Sequence, residues 1–334
     1  MSQSLRILLV DDEISLLKPL AKYLRDTFNY EVDTAATAIE ALDQLKRMQD
    51  HYQVALIDDL LASEPGAEPE PLGVILTRKI KTEFPGIEII VFTGWGMESA
   101  LEALQAGAYR YLAKPLNYKE LDILIRMAAE QNRLKSAARE KQILEKFMET
   151  SAALLNGQDL NQTLEIVLQG VQGIGFDRVR CYLLSEDGQA MVGAAQVGMT
   201  CAFEGFRCAV SADAYMRLVM SDPQARLFER QAGESLPYEV ELDKHDVNQW
   251  VCMPLVVEGN IIGKLSMDNK HSRRFIAVSE LEPLKLFAGQ AAAAIQNARL
   301  RDNEQAARKQ AERRARNLEV IQQVSTSLNS TLEV

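Results

Sequence analysis

Arg6-Ile7-Leu8-Leu9-Val10-Asp11-Asp12 sets the pattern for the first third of the chain: an apolar run that ends abruptly in carboxylates. The event recurs. Val54-Ala55-Leu56-Ile57 runs into Asp58, Ile87-Glu88-Ile89-Ile90-Val91-Phe92 into Thr93, and Tyr109-Arg110-Tyr111-Leu112-Ala113 into Lys114-Pro115. Helical patterns of roughly ten to fifteen residues lie between these runs. Short apolar strands alternating with helices predict an α/β fold, a doubly wound parallel sheet with helices on both faces. Functional groups in such sheets gather outside the carboxyl ends of the strands. Asp11, Asp12, Asp58, Thr93 and Lys114 are therefore expected to meet in one pocket.

Three carboxylates at short range raise one another's pKa, and a divalent cation relieves the repulsion. Mg2+ takes one or two carboxylates and keeps several waters. Asp12 and Asp58 are the candidate direct ligands, with Asp11 acting through water. An exposed carboxylate can also attack a phosphoryl group to form an aspartyl phosphate. That reaction needs positioning and charge neutralisation more than covalent protein chemistry. Lys114 offers the positive charge, Thr93 a hydroxyl donor, and Asp58, ending a buried strand, is the nucleophile candidate.

Val10-Asp11-Asp12-Glu13, Leu56-Ile57-Asp58, Val91-Phe92-Thr93-Gly94, Gly107-Ala108 and Tyr111-Leu112-Ala113-Lys114-Pro115 stand in the order and spacing of a known family. Residues 1–127 resemble the receiver domain of bacterial two-component response regulators. The resemblance implies a flavodoxin-like five-stranded parallel sheet, Asp58 as phosphoacceptor, and Asp11 and Asp12 as the acidic Mg2+-binding pair. It further implies the Leu60 backbone carbonyl as a metal ligand, Thr93 and Lys114 as phosphoryl contacts, Tyr111 as the switch aromatic and a cis Lys114-Pro115 bond. The implied partner is a histidine kinase or a histidine phosphotransfer protein.

Three features depart from the family pattern. Asp59 follows the phosphoacceptor where an apolar residue is usual, and strand alternation directs it to the opposite face from Asp58. The segment between Leu61 and Leu72 is long and rich in Pro and Glu, which predicts an extended, solvated loop. Leu60 and Trp95, two residues past Asp58 and Thr93, are apolar and would orient an attacking water poorly, so a long-lived phosphorylated state is expected.

The chain has 334 residues, a net charge of −10 and a pI near 5.1. That length accommodates two domains with connecting helices, and the acidic balance argues against nucleic acid as a partner. The longest apolar runs fall short of a membrane span, and the N-terminus enters a strand directly, without a signal-peptide pattern. A cytoplasmic protein is expected. Cys181, Cys201, Cys208 and Cys252 form no C-x-x-C pair and histidines are few, so reduced thiols are expected in place of a zinc or redox site.

From Asn117, a cap with Glu120 as its capping-box partner, a helical pattern runs unusually far. Leu121, Leu124, Ala128, Leu134, Ala138, Leu144, Phe147 and Met148 recur near three- and four-residue spacing. Residues 128–147 read as a connecting helix, either packed on its own domains or forming a short coiled coil in a homodimer.

Residues 148–300 change rhythm. A helix over 160–173 precedes the strand Arg178-Val179-Arg180-Cys181-Tyr182-Leu183-Leu184. Trp250 to Val257 and Ile261 to Asp268 flank Glu258-Gly259-Asn260 as a hairpin. A Leu/Ala-rich helix begins near Ser279. Gly175-Phe176-Asp177-Arg178-Val179, Met253-Pro254-Leu255 and Ile262-Gly263-Lys264-Leu265, in this order, resemble a GAF domain, which implies a central antiparallel sheet backed by helices. Cyclic-nucleotide-binding members carry Asn-Lys…Phe…Asp-Glu. This chain has Asn269-Lys270, Phe275 and Ser279-Glu280, with Ser279 free to act simply as a helix cap. No cysteine is followed by histidine, so bilin attachment is not expected; haem is not expected either, and the GAF ligand stays open. Phe203, Phe206, Tyr215 and Arg217 belong to the segment expected to wall the pocket.

Residues 301–334 read as a charged helical linker followed, from Leu318, by the opening helix of a further domain, as in the N-terminal part of a longer signalling protein. Two rival readings remain at this stage. One is part of a hybrid histidine kinase or nucleotide cyclase, although these residues supply no catalytic motif. The other is a small-ligand sensor in which the receiver is a scaffold.

Overall fold

The structure, a computed structural model, describes residues 5–48, 51–62, 69–94, 97–155, 159–212, 214–230 and 247–332. The first domain runs β1 (Arg6–Val10), α1 (Ile14–Phe28), β2 (Glu31–Ala35), α2 (Ala38–Arg47) and β3 (Val54–Asp58). A two-stranded ribbon follows, β4 (Leu61–Ala62) with β5 (Pro69–Glu70). Then come α3 (Leu72–Glu83), β6 (Glu88–Thr93), α4 (Met97–Gln105), β7 (Arg110–Ala113) and α5 (Tyr118–Leu155). The five long strands form a parallel sheet in the order β2-β1-β3-β6-β7.

Alternation along each strand serves two cores. Ile7, Leu9, Val54, Leu56, Ile90 and Phe92 pack against α1 and α5. Leu8, Val10, Ala55, Ile57, Ile89 and Val91 pack against α2, α3 and α4. Burial on both faces is why these strands read as unbroken apolar runs. β2 lies at the sheet edge and carries exposed Glu31 and half-buried Asp33, so its sequence shows no such run.

α5 is a single helix of 38 residues, about 57 Å long at 1.5 Å per residue. The Asn117 side chain caps it, accepting from the backbone N–H groups of Lys119 (3.1 Å) and Glu120 (3.4 Å). Leu121, Ile125 and Ala128 are buried in the first domain, whereas Phe147 stacks on Phe287 at 5.3 Å and Leu154 is buried in the second. The apolar set read as one stripe is thus divided among different faces. Leu121 and Ala128 face the parallel sheet, while Leu134, Leu144 and Met148 are exposed.

The second domain runs α6 (Leu160–Gly173), β8 (Arg178–Leu184), β9 (Ala190–Val197), β10 (Arg207–Ala209), α7 (Ala214–Ser221), β11 (Arg226–Glu229), β12 (Gln249–Val257), β13 (Asn260–Asp268) and α8 (Leu281–Leu332). Its sheet is antiparallel, in the order β10-β9-β8-β13-β12-β11, with α6 and α8 packed on one face. The β12–β13 turn places Glu258 (φ 50°) and Gly259 (φ 81°) in the left-handed region that a tight hairpin requires.

The last helix, expected to begin near Ser279, starts at Leu281. A 3₁₀ turn, Val278–Glu280, precedes it, and the Glu280 carboxylate accepts from the Ala277 N–H at 3.2 Å. The stretch from Leu318 belongs to the same helix, since α8 continues unbroken to Leu332.

The domains touch at the amino-terminal edge of the parallel sheet. Phe275 stacks on Phe84 at 5.1 Å and its N–H donates to the Glu83 carbonyl at 2.8 Å. Glu280 receives Arg274 at 2.6 Å and Arg139 at 3.6 Å. Buried Glu88 receives Lys81 from α3 and Lys135 from α5.

Candidate functional site

β1 and β3 are neighbours at the point where strand order reverses, so their carboxyl ends open one crevice. Asp11, Asp12 and Asp58 meet there, with one carboxylate oxygen of each within 4.8 Å of the others. Asp11 and Asp58 are buried and Asp12 is half-buried. Lys114 reaches in from the end of β7, its Nζ 2.9 Å from Asp58 Oδ1 and 3.4 Å from Asp11 Oδ2. The Lys114-Pro115 bond is cis. Asp11 Oδ1 also accepts from the Glu13 N–H at 2.8 Å, and Asp12 Oδ2 from the Ala62 N–H at 3.1 Å.

The electrostatics favour added positive charge. Burial pushes the Asp58 carboxyl up to about 6, with the Asp11 charge assisting and Lys114 opposing. Burial also raises Asp11. Burial works against the Lys114 ammonium, yet its contacts with Asp58 and Asp11 outweigh this and raise it above the ordinary lysine value. One lysine thus leaves three clustered acids incompletely neutralised, and the all-oxygen donor set suits Mg2+.

Thr93 ends β6, buried, and Asp59 lies beside it. Thr93 Oγ1 donates to Asp59 Oδ2 at 3.3 Å. Alternation puts Asp59 with Ile57 and Thr93 with Val91, on the face served by α2, α3 and α4, so their contact agrees with the expectation that Asp59 is directed to the opposite face from Asp58. The Asp59 N–H donates to the Phe92 carbonyl at 2.9 Å and so continues the β3–β6 ladder one residue past Asp58. Asp59 is not one of the clustered acids. Leu60 sits half-buried in the turn after β3, and its carbonyl's role rests on the resemblance alone. Tyr111 is 40% exposed on β7, where it pairs with Val91 of β6. Trp95, and the loop residues 63–68, lie outside the described residues.

In the second domain, the Asn-Lys…Phe…Ser-Glu segment organises the domain contact. Asn269 accepts from the Asp177 N–H at 3.2 Å and donates to the Arg274 carbonyl at 3.1 Å, which holds the loop presenting Phe275 to Phe84. Sequence reading missed a buried polar layer on the sheet face opposite α6 and α8. Asp268 binds Arg178 (2.7 and 2.8 Å) and Arg180 (2.7 Å). Lys264 lies 4.8 Å over the Tyr182 ring. The signal available was Arg178-Val179-Arg180 on a strand that pairs Arg178 with Asp268. Of the expected pocket-wall residues, Phe203 is buried against Tyr182, Tyr215 packs on Trp250, Phe206 is half-buried and Arg217 reaches the Ser211 carbonyl.

Clustered acids facing a lysine, at the carboxyl edge of this five-stranded parallel sheet, define the receiver class of signalling domain. Comparison with known proteins agrees. The family model for the response regulator receiver domain matches residues 7–126, and that for the GAF domain matches residues 157–296. The chain therefore carries a receiver domain followed by a GAF domain, an arrangement that fits two-component signalling. An NtrX-like response regulator of Rickettsia felis is 37% identical over 137 residues, covering 40% of this chain and 27% of that protein. Response regulator Rre1 of Synechocystis is 28% identical over 158 residues, covering 46% of this chain and 64% of that protein. A receiver domain protein from Methanospirillum hungatei, a solved structure, is 30% identical and covers 40% of this chain and 99% of that one, with a TM-score of 0.34. The chain thus spans only part of the length of these curated relatives. No helix among the described residues is long and apolar enough to cross a membrane.

Proposed function

We propose that the chain is a cytoplasmic phosphorelay protein in which Asp58 accepts a phosphoryl group from a histidine kinase or a histidine phosphotransfer protein. The observation that carries this reading is the Asp58–Lys114 pair at 2.9 Å inside the three-carboxylate cluster. A carboxylate oxygen of Asp58 attacks phosphorus, and the bond from phosphorus to the donor breaks as the new P–O bond forms. Asp11, Asp12, Asp58 and the Leu60 carbonyl would hold Mg2+, which neutralises charge on the transferring group. Lys114 pairs with a phosphoryl oxygen. Thr93 exchanges its Asp59 partner for another phosphoryl oxygen, and Tyr111 moves inward as Thr93 does. That is a two-state switch biased by new charge contacts.

The division 1–127 receiver, 128–147 connecting helix, 148–300 GAF and 301–334 linker accompanies this reading. α5 would carry the change to the GAF domain and to a homodimer contact made through helices. Intact-mass spectrometry after incubation with Mg2+ and a small-molecule phosphodonor tests the proposal. One added phosphoryl group in wild type, absent from Asp58→Asn, is expected. No addition, under conditions that load a control receiver, overturns it, and addition persisting in the variant moves the acceptor elsewhere.

A further inference from the structure

The three clustered carboxylates are held in different ways. Asp11 is fixed at both oxygens, by the Glu13 N–H at 2.8 Å and by Lys114 at 3.4 Å, and Asp58 is held by Lys114 at 2.9 Å. The Asp12 carboxylate accepts one hydrogen bond among the described residues. It comes to Oδ2 from the Ala62 N–H at 3.1 Å, across 50 positions of sequence.

That donor belongs to the β4–β5 ribbon, where Leu61 pairs with Glu70 and Ala62 with Pro69. Leu61 is fully buried, in the same core as Val10, Ile57, Val74 and Leu76, and Ala62 beside it is buried as well. An apolar residue driven into the core thus carries a backbone N–H to the acid that follows β1. The approach to the ribbon is fixed at both sides of one peptide. The Asp59 N–H donates to the Phe92 carbonyl of β6 at 2.9 Å, and the Asp59 carbonyl accepts from the Gly73 N–H of α3 at 3.0 Å. Residues 58–62 therefore hold, in one anchored stretch, the candidate phosphoacceptor, the Leu60 carbonyl and the group that restrains Asp12.

We propose that the β4–β5 ribbon is part of the metal site, with Ala62 as a positioning residue whose N–H aims the Asp12 carboxylate and so sets how tightly the cluster holds Mg2+. This rests on the reading that Asp11, Asp12 and Asp58 hold Mg2+, and adds to it a determinant of affinity. A half-buried carboxylate on a loop samples several rotamers, and a donor at one oxygen selects one of them before any cation arrives. A neutral N–H does so without adding positive charge that would compete with the metal. Mg2+ demands near-ideal octahedral geometry, so its affinity answers to how well its ligands are aimed, whereas Ca2+ tolerates varied geometry. Removing a group that orients a metal-ligating side chain typically costs about 10–100-fold in metal affinity. By linkage, a change in the ribbon alters Mg2+ binding, and Mg2+ steadies the ribbon by the same factor.

The test is calorimetric titration of the full chain with Mg2+ and, separately, with Ca2+, in the absence of any phosphodonor. Ala62→Pro removes the N–H, and Ala62→Gly keeps it. Ala62→Pro is expected to bind Mg2+ about tenfold more weakly, with Ala62→Gly close to wild type and a smaller loss for Ca2+ than for Mg2+. Equal Mg2+ affinity in wild type and Ala62→Pro overturns the inference. So does an equal loss for both ions, which marks general damage to the receiver. Hydrogen exchange followed by NMR, without metal, reads the bond independently of the proline. Asp12→Ala should quicken exchange at the Ala62 N–H while residues 54–58 stay protected, and unchanged protection at Ala62 overturns the positioning role. Wild type that binds no Mg2+ fails the metal reading itself, and wild type that binds Mg2+ with an affinity indifferent to Ala62 fails this inference alone.

Discussion

Thr93 and Asp59 are joined by a buried hydrogen bond of 3.3 Å, hydroxyl to carboxylate, directly beside the carboxylate proposed to accept phosphate. The hydroxyl that phosphorylation would recruit is thus already engaged. Asp59→Ala removes the competitor, and Asp59→Asn retains an acceptor. A long bond to a charged group is worth about 1 kcal/mol, or roughly fivefold in an equilibrium. Asp59→Ala is expected to load about fivefold faster in a time course of intact mass, with Asp59→Asn close to wild type. Equal rates in all three would show that the bond does not restrain Thr93.

Lys114 is the cation that the structure places among the three acids, and its side chain is only 24% exposed. Lys114→Ala leaves buried Asp58 and Asp11 without it. A loss of about 1–3 kcal/mol is expected in urea unfolding without metal, at the lower side of the cost of breaking a buried pair. Mg2+ should recover part of it, by binding the folded state alone. Full stability in metal-free Lys114→Ala would refute the charge balance described.

Gly73 opens α3 directly behind the phosphoacceptor. A Cβ there would lie 2.1 Å from the Asp58 carbonyl oxygen and 2.8 Å from the Asp59 Cα, both backbone atoms. Gly73→Ala is therefore expected to displace the end of β3, lower stability by about 2 kcal/mol or more and impair phosphoryl uptake. Thermal unfolding and mass spectrometry on the same sample check this, and wild-type behaviour in both would sink it.

Phe275 links the two domains by stacking on Phe84. Phe275→Ala should cost about 1–3 kcal/mol of domain contact, part of it aromatic pairing and part area. Hydrogen exchange should quicken in residues 80–88 while the centre of the parallel sheet stays protected. Unchanged protection over 80–88 would mean that the contact is not formed in solution.

The cysteines predict a pH response. Burial pushes the Cys181 thiol up to about 12. The unfolded chain ionises this thiol near pH 9 while the folded protein keeps it neutral, so its contribution to stability is present below pH 9 and lost as pH climbs toward 12. Alkylation of native protein at pH 8 is expected to label Cys201, which is half-buried, and to spare Cys181, Cys208 and Cys252. Prompt labelling of Cys181 would contradict the packing beneath the GAF sheet.

Residues whose environment is uniform were readable in advance. β1, β3 and β6 are buried on both faces, so their apolar runs announce them, and the acids beyond their ends follow from sheet geometry. β2 was not singled out because an edge strand alternates Glu31 and Asp33 with buried Val32. Asp59 was legible because alternation runs to the ends of β3 and β6, which puts it beside Thr93 and apart from the clustered acids. The apolar positions of α5 blurred into one stripe because two surfaces, set by different partners, share one helix. The Asp268 layer was hidden for another reason. Arg178 and Arg180 look solvent-exposed until the partner strand, 88 to 90 residues away, supplies the carboxylate.

The unbroken helix from Tyr118 to Leu155 also fixes a phase. Each residue advances the rotation by about 100°, so one insertion near its middle would swing the GAF domain a quarter-turn or more around the receiver. Seven inserted residues would restore the bearing to within about 20° and change only the distance. Length changes in this segment are therefore tolerable in heptad steps and disruptive otherwise, and the chain carries an angular gauge as well as a tether.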